Sequence, residues 1–258
     1  MATSSDRLKH LAVIPARGGS KRLRRKNVID FLGQPILAYT IEAARKAKIF
    51  SRIIVSTEDA EIARIAKRFG AEVDKRPIEL ANDSTTMADV CIELLNRLAK
   101  TGERYDTLTL LLATAALRDA NDIRETVKLV EPGKCDYAMA VSEYVQPVHQ
   151  ALRMSTEGSL ETMFPDLANK RADTVGRYLV GNGSTTTVNA ERFRKGGKFF
   201  GSPMRGYEMP FERAVDIDER EDLELSLFYA KKLLRPKKKS VRKVAGKRAK
   251  KKKAKRAR

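Results

Sequence analysis

Residues 11–27, LAVIPARGGSKRLRRKN, run an unbroken apolar stretch directly into a glycine-containing loop that carries six cations. Leu11, Ala12, Val13 and Ile14 have the continuous apolar character of a parallel strand covered on both faces. Pro15 donates no ladder bond and suits the end of such a strand. Gly18 and Gly19 are expected to let the backbone take conformations closed to other residues, so that successive N–H groups converge on anionic oxygens. Ser20 adds a hydroxyl, and Arg17, Lys21, Arg22, Arg24, Arg25 and Lys26 surround the loop with charge. A triphosphate can use several of these cations; a solvated basic loop or a nucleic-acid backbone surface would carry the same residues. The order of parts favours the phosphate site. A buried strand, glycines and cations lead into an amphipathic helix expected at Gln34 to Ala47, with Ile36, Tyr39 or Thr40, Ala43 or Ala44, and Ala47 on one side. The loop is neither a Walker loop nor a G-x-G-x-x-G fingerprint.

The rest of the chain alternates strands and helices. Ile53 to Ser56 and Thr107 to Ala113 read as strands, as does Tyr137 to Val141. Glu58 to Phe69 reads as a helix capped by Thr57 and closed by Gly70, and further helices are expected at Met87 to Ala99, Asn121 to Val130 and Glu219 to Leu234. This is the pattern of an α/β, doubly wound, mostly parallel sheet, in which ligands sit beyond the carboxyl ends of the strands. Glu143 to Phe211 breaks the rhythm. Nearly seventy residues without helical periodicity point to an inserted arm, the alternative being a plain surface excursion.

The 258 residues, 42% of them hydrophobic, are enough for one core, and a single domain is expected over residues 8–234. The formal charge of +19 is concentrated in residues 235–258, which hold 15 Lys or Arg and no acid and leave +4 for the remainder. Such a run is expected to be disordered and to attract polyanions by charge alone. Cys91 and Cys135 lie in no C-x-x-C, so reduced core thiols are expected rather than a zinc site or disulfide framework. No apolar run suggests a signal peptide or membrane span, which makes the cytoplasm the default.

Asp216 and Asp218 are the candidate metal ligands. Residues i and i+2 of an extended segment point the same way, so both carboxylates can face one hard cation while Val215 and Ile217 enter the core. Mg²⁺ takes oxygen ligands, usually few from protein, while bridging phosphates. Acidic pairs at strand ends are common, and it is the phosphate loop in the same chain that favours the metal.

Ala12, Ile14, Pro15, Ala16, Arg17, Gly19, Ser20, Lys21, Lys26 and Asn27 fall on the pattern A-x-I-P-A-R-x-G-S-K, four residues, K-N. Residues 55–59 (VSTED), 76–85 (RPIELANDST) and 215–222 (VDIDERED) follow in order. Over about Leu8 to Leu234 the chain thereby resembles the cytidylyltransferases that activate sialic acid and related nine-carbon acidic sugars. The resemblance implies attack of a sugar hydroxyl on the α-phosphorus of CTP, with Mg²⁺ as cofactor, in surface glycan biosynthesis. It implies nucleotide contacts at Ala16, Arg17, Gly18, Gly19, Ser20, Lys26, Asn27, Arg76 and Asp83, with Ser20, Asn27 and Arg76 near cytosine and ribose. Arg17, Lys21 and Lys26 would neutralise phosphates. Asp216 and Asp218 would hold the metal, or one would act as base. The insert, residues 143–211, would be a homodimerisation arm completing the partner's sugar site. Arg76 read alone is also consistent with a surface cation, and Asp83 with a turn.

Departures bear on the sugar. Leu111 to Arg118 reads LLATAALR where sialic acid enzymes commonly read LQPTSPLR, and Ala113-Thr114-Ala115 is closer to the pseudaminic acid branch, as are Ser142-Glu143-Tyr144 and Gln150. Thr185 and Thr186 stand where an aromatic pair is expected. Thr114, Gln150, Arg171 and Arg177 are the candidate sugar contacts, the two arginines suited to a carboxylate, and His149, lacking a clear partner, reads as structural. Two other readings stay open: a ketodeoxyoctonate-type nucleotidyltransferase, and a non-enzymatic polyanion-binding protein.

Overall fold

The computed structural model describes residues 8–234, and the expectations for the basic segment 235–258 lie outside them. The opening apolar run forms β1 (His10–Pro15), buried at every position after His10. A small hairpin, β2 (Asp30–Phe31) and β3 (Gln34–Pro35), leads into α1 (Ile36–Ala47). Three alternations follow: β4 (Phe50–Thr57) with α2 (Ala60–Arg68), β5 (Glu72–Lys75) with α3 (Met87–Lys100), and β6 (Thr107–Leu111) with α4 (Ala120–Val127). After β7 (Tyr137–Glu143) come a second hairpin, β8 (Leu152–Met154) and β9 (Leu160–Thr162), and the short α5 (Ala172–Val175). The chain then passes through β10 (Leu179–Asn189), α6 (Ala190–Gly196) and β11 (Met204–Glu208) to α7 (Arg220–Leu234).

Seven strands form one sheet in the order β11-β7-β10-β6-β1-β4-β5. The β1–β4, β1–β6, β4–β5 and β7–β11 pairs are parallel, and β10 alone opposes its neighbours. Ala12 and Ile14 pack with α1, α2 and α4 on one face, while Leu11 and Val13 pack with α3 and α6 on the other. A strand covered on both sides needs apolar residues on both, hence the unbroken run. The chain steps outward from β1 to β4 and β5, then returns to β6 on β1's other side. That reversal leaves a crevice at the carboxyl end of β1.

Two local expectations are corrected. The cap of α2 is Asp59, not Thr57: its carboxylate accepts from the amides of Glu61 and Ile62, and the helix begins at Ala60. Thr57 instead accepts from the Asp59 amide at 3.1 Å. The helix does close on Gly70, whose φ of 83° accompanies a bond from the Ala71 amide to the Ala66 carbonyl, a Schellman turn.

The irregular segment is also shorter than 143–211. Leu179 onward rejoins the body, with β10 in the middle of the sheet and β11 at its edge. Periodicity missed β10 because it buries hydroxyls rather than large apolar side chains. Ser184, Thr185 and Thr187 are each at most 1% exposed, and Thr187 pairs with Thr109 at 3.0 Å. The excursion proper is residues 144–178, and it exposes Val145, Met154 and Leu160.

Asp122 of α4 anchors the segment that follows β11. It is fully buried and accepts from Arg213 Nε at 3.0 Å and Nη2 at 2.7 Å, from the Tyr207 hydroxyl and from the Asp119 amide. Asp122→Asn should cost about 1.5 to 3 kcal/mol in urea unfolding, the usual worth of bonds to a charged group. An unchanged midpoint would show that the anchor contributes nothing.

Candidate active site

The carboxyl ends of β1 and β6 open into a cleft of about 550 Å³, bounded by the cationic loop, residues 80–87 and the Asp216–Asp218 segment. The loop is tied down at both ends. The Ala16 amide donates to the Ser56 carbonyl at 3.0 Å, and buried Asn27 donates to the Arg17 carbonyl at 2.9 Å. The Gly18 amide donates to Glu58 Oε1 at 2.7 Å.

The glycines work differently from expectation. Neither Gly18 nor Gly19 has a positive φ; the left-handed residue of the loop is Arg25, at 58°. Gly18 is required for space, because a Cβ there would collide with the Asp59 carboxylate, whereas Gly19 faces open room. Arg25 turns away from the cleft, pairing with Asp59 at 2.5 Å and with Glu61. It therefore fastens the loop to the start of α2.

Four cations of the loop face the cleft. Arg17 and Lys21 converge on Asp83 at 2.8 and 2.5 Å, while Arg22, at 2.6 Å, and Lys26 converge on Asp218. Asp83 thus lines the cleft, and the turn role open to it belongs to Asn82, whose side chain accepts from the amides of Ser84 and Thr85. Arg76 is no surface cation: it is 6% exposed, donates to the Ser56 carbonyl at 2.7 Å and lies 4.0 Å from Glu58. Burial lowers its pKa, with Glu58 opposing. Ser20 and Asn27 line the same cleft. So do Leu80, Thr85, Thr86, Met87 and Val90, an apolar and hydroxyl wall not singled out from sequence.

Val215 and Ile217 are buried, and Asp216 and Asp218 line the cleft, as the i, i+2 argument required. Thr114 donates its hydroxyl to Asp216 Oδ1. Burial, reinforced by the charge of Asp218, raises the Asp216 pKa against that bond. Burial also works against the Asp218 carboxylate, but Lys26 and Arg22 outweigh it and hold its pKa low. Two carboxylates on one wall fit a hard divalent cation. Among the described residues no group of three or more metal-ligating side chains gathers, so such an ion would take further oxygens from its phosphate ligand.

Gln150, Arg171 and Arg177 do not join this cleft. Gln150 is exposed, Arg171 pairs with Asp173 at 2.8 Å, and Arg177 pairs with Glu143 and Glu208 at 3.0 and 2.6 Å. His149 is buried, with Nε2 3.2 Å from the Lys170 carbonyl, and braces the excursion. Cys91 and Cys135 are buried free thiols. No helix among the described residues is long and apolar enough to cross a membrane.

The family model described as cytidylyltransferase matches residues 11–174. The N-acylneuraminate cytidylyltransferase of Escherichia coli is 33% identical over 90% of this chain, which spans about half (54%) of that relative's length. The pseudaminic acid cytidylyltransferase of Campylobacter jejuni is 30% identical over 85% of this chain and 95% of its own. Among solved structures, CMP:2-keto-3-deoxy-manno-octonic acid synthetase complexed with CTP aligns with a TM-score of 0.65 at 18% identity, covering 88% of this chain and all of that one. At that identity the likeness is one of fold.

Proposed function

The chain belongs to the cytidylyltransferase family, and we propose that it transfers CMP from CTP to the anomeric hydroxyl of a sialic-acid-like nonulosonic acid, releasing pyrophosphate. The observation that carries this reading is the meeting, across one cleft, of Arg17, Lys21 and Lys26 with Asp216 and Asp218. The sugar oxygen forms a bond to the α-phosphorus as the bond to the bridging oxygen of pyrophosphate breaks. Arg17, Lys21 and Lys26 neutralise the triphosphate, exchanging Asp83 and Asp218 for phosphate oxygens. The pairs to Asp83 are partly exposed and individually weak, so their exchange costs little, while Lys26 leaves the less exposed Asp218 for a more highly charged partner. Asn27 and Arg76 hold the ribose and cytosine end. Mg²⁺ on Asp216 and Asp218 would add charge neutralisation at the α-phosphate and acidify the attacking hydroxyl. Asp216, with its raised pKa, is the carboxylate suited to receive the proton in a direct base mechanism.

Thr114 meets the sugar inside the cleft. Gln150, Arg171 and Arg177 act from the excursion 144–178, which reaches a second copy in a homodimer; its exposed apolar residues, and a cleft lined by none of these three residues, support that arrangement. The pseudaminic acid branch is favoured by Ala113-Thr114-Ala115 and by a relative of matching length; the ketodeoxyoctonate alternative rests on fold likeness alone. Cytoplasmic placement, beside the CTP supply, belongs to the same proposal.

The test is pyrophosphate release with CTP against a panel of nine-carbon keto acids and ketodeoxyoctonate. Release with a nine-carbon acid supports the reading; release with ketodeoxyoctonate alone, or with none, overturns it. Polyanion binding is assigned to residues 235–258. Retention on heparin should fall steeply with salt and vanish in a chain ending at Leu234, which should turn over CTP unchanged. Loss of turnover on that truncation would tie the basic segment to catalysis.

A further inference from the structure

We propose that Arg118 is a positioning residue for Asp216, holding β10 against the carboxyl end of β6 so that the wall behind that carboxylate stays in place. The inference rests on reading the cleft as the active site. Arg118 is 3% exposed and reaches three elements at once. Its Nη1 donates to the Ser184 carbonyl in β10, and its Nη2 donates to Thr40 Oγ1 of α1 at 2.7 Å and to the Leu112 carbonyl, just past β6, at 3.3 Å. Thr40 in turn donates to the carbonyls of Leu112 and Ala113.

What these bonds hold is the surround of Asp216. The register of β10 against β7 breaks between Gly181 and Thr186, and the carbonyl that Arg118 takes lies inside that break. So does Gly183, at a φ of 72°, where a Cβ would stand 3.1 Å from Asp216 Oδ2 and 3.0 Å from Leu112 Cδ1. A side chain at residue 183 would be strained and would press on the carboxylate. Asp216 therefore has Thr114 on one oxygen and the Gly183 backbone behind the other. Each support lies one or two residues from a carbonyl that Arg118 ties.

The arrangement is expensive. A buried guanidinium is costly to desolvate, and Arg118 Nε has no partner among the described residues. Burial pushes its pKa down to about 10, with Asp122 and Asp216 opposing. Well-packed apolar side chains commonly replace such groups without loss of stability. A buried charge at this position therefore serves the geometry of the site rather than stability.

The experiment uses Arg118→Met, Arg118→Lys and Gly183→Ala in the full chain, with turnover, thermal melting and amide hydrogen exchange. Arg118→Met should lower kcat about tenfold or more with KM for CTP changed less than about threefold, since misplacement of a reacting group costs rate and the cations that bind phosphate are untouched. Guanidinium ion should restore part of the rate. Exchange should rise over residues 182–186 and remain unchanged in α2 and β4. Arg118→Lys, unable to reach three acceptors, should show the same pattern, and Gly183→Ala should give the same kcat loss from the opposite side. These two carry the test if Arg118→Met does not fold. A folded Arg118→Met or Arg118→Lys with wild-type kcat and unchanged exchange at 182–186 would overturn the proposal, as would exchange rising throughout with kcat and KM moving together. If the wild-type chain turns over no acidic sugar while exchange in the Arg118 variants rises only at 182–186, the catalytic reading falls and the positioning of the Asp216 surround by Arg118 stands.

Discussion

Asp216→Asn and Asp218→Asn should each lower CTP turnover by about 10² to 10³-fold, the cost of removing one preorganised electrostatic group from a reaction centre, yet they should move stability in opposite directions. Folding raises the Asp216 pKa, chiefly through burial and with help from Asp218. Above its unfolded value the charged carboxyl costs stability, and that cost disappears as pH falls into the carboxylate range. Asp216→Asn should therefore melt at or above the wild type at pH 7, an advantage lost in acid. For Asp218 burial is outweighed by Lys26 and Arg22, and its folded pKa is low. Its stabilising contribution is present above the unfolded pKa and lost as pH falls through the folded one, so Asp218→Asn should melt below the wild type at pH 7. Thermal melts at pH 7 and pH 4 check the signs. Wild-type turnover in both variants would return the pair to a structural role.

Arg17→Ala and Lys26→Ala should each weaken CTP binding or slow turnover by at least about tenfold, because a hydrogen bond to a charged group contributes about 1.5 to 3 kcal/mol. Arg25→Ala is the internal control. It belongs to the same run of cations but faces Asp59 and Glu61 rather than the cleft. Its loss should lower the melting temperature with little change in KM for CTP. If Arg25→Ala instead raises KM as much as Arg17→Ala does, the cationic loop acts as an undifferentiated basic surface and the assignment of individual roles fails.

The contrast between those arginines shows what is legible in such a sequence. The apolar run of β1 and the i, i+2 carboxylates could be read in advance because strand geometry alone dictates where their side chains go. Arg25 and Lys26 are neighbours with the same charge, and only the left-handed turn at Arg25 separates the one that grips α2 from the one that faces Asp218. Gly18 could be marked as important, but its reason, the carboxylate of Asp59, lies far along the chain at the start of α2. Arg118 ended a motif that was visible without being given a role, because its partners are backbone carbonyls, on which sequence identity is silent. β10 escaped detection for the opposite reason: its residue types are informative, but buried threonines paired across strands look like a polar loop.

That strand also sets the order in which this molecule can be made. β10 lies between β6 and β7, both of which precede it in the chain, and it arrives only after the 144–178 excursion has been synthesised. Until then β6 presents one unpaired edge and β7, whose other neighbour β11 comes later still, presents two, with apolar residues such as Leu108, Leu110, Met139 and Val141 on them. Open edges of this kind recruit strands from other chains, and pairing across long loops is slow. A nascent chain stopped short of Leu179 would have a nucleotide loop and most of its helices, yet its fate would be aggregation rather than partial activity. Substitutions that weaken β10 outside residues 182–186, which back Asp216, should accordingly reduce soluble yield more than they reduce the specific activity of the molecules that do fold.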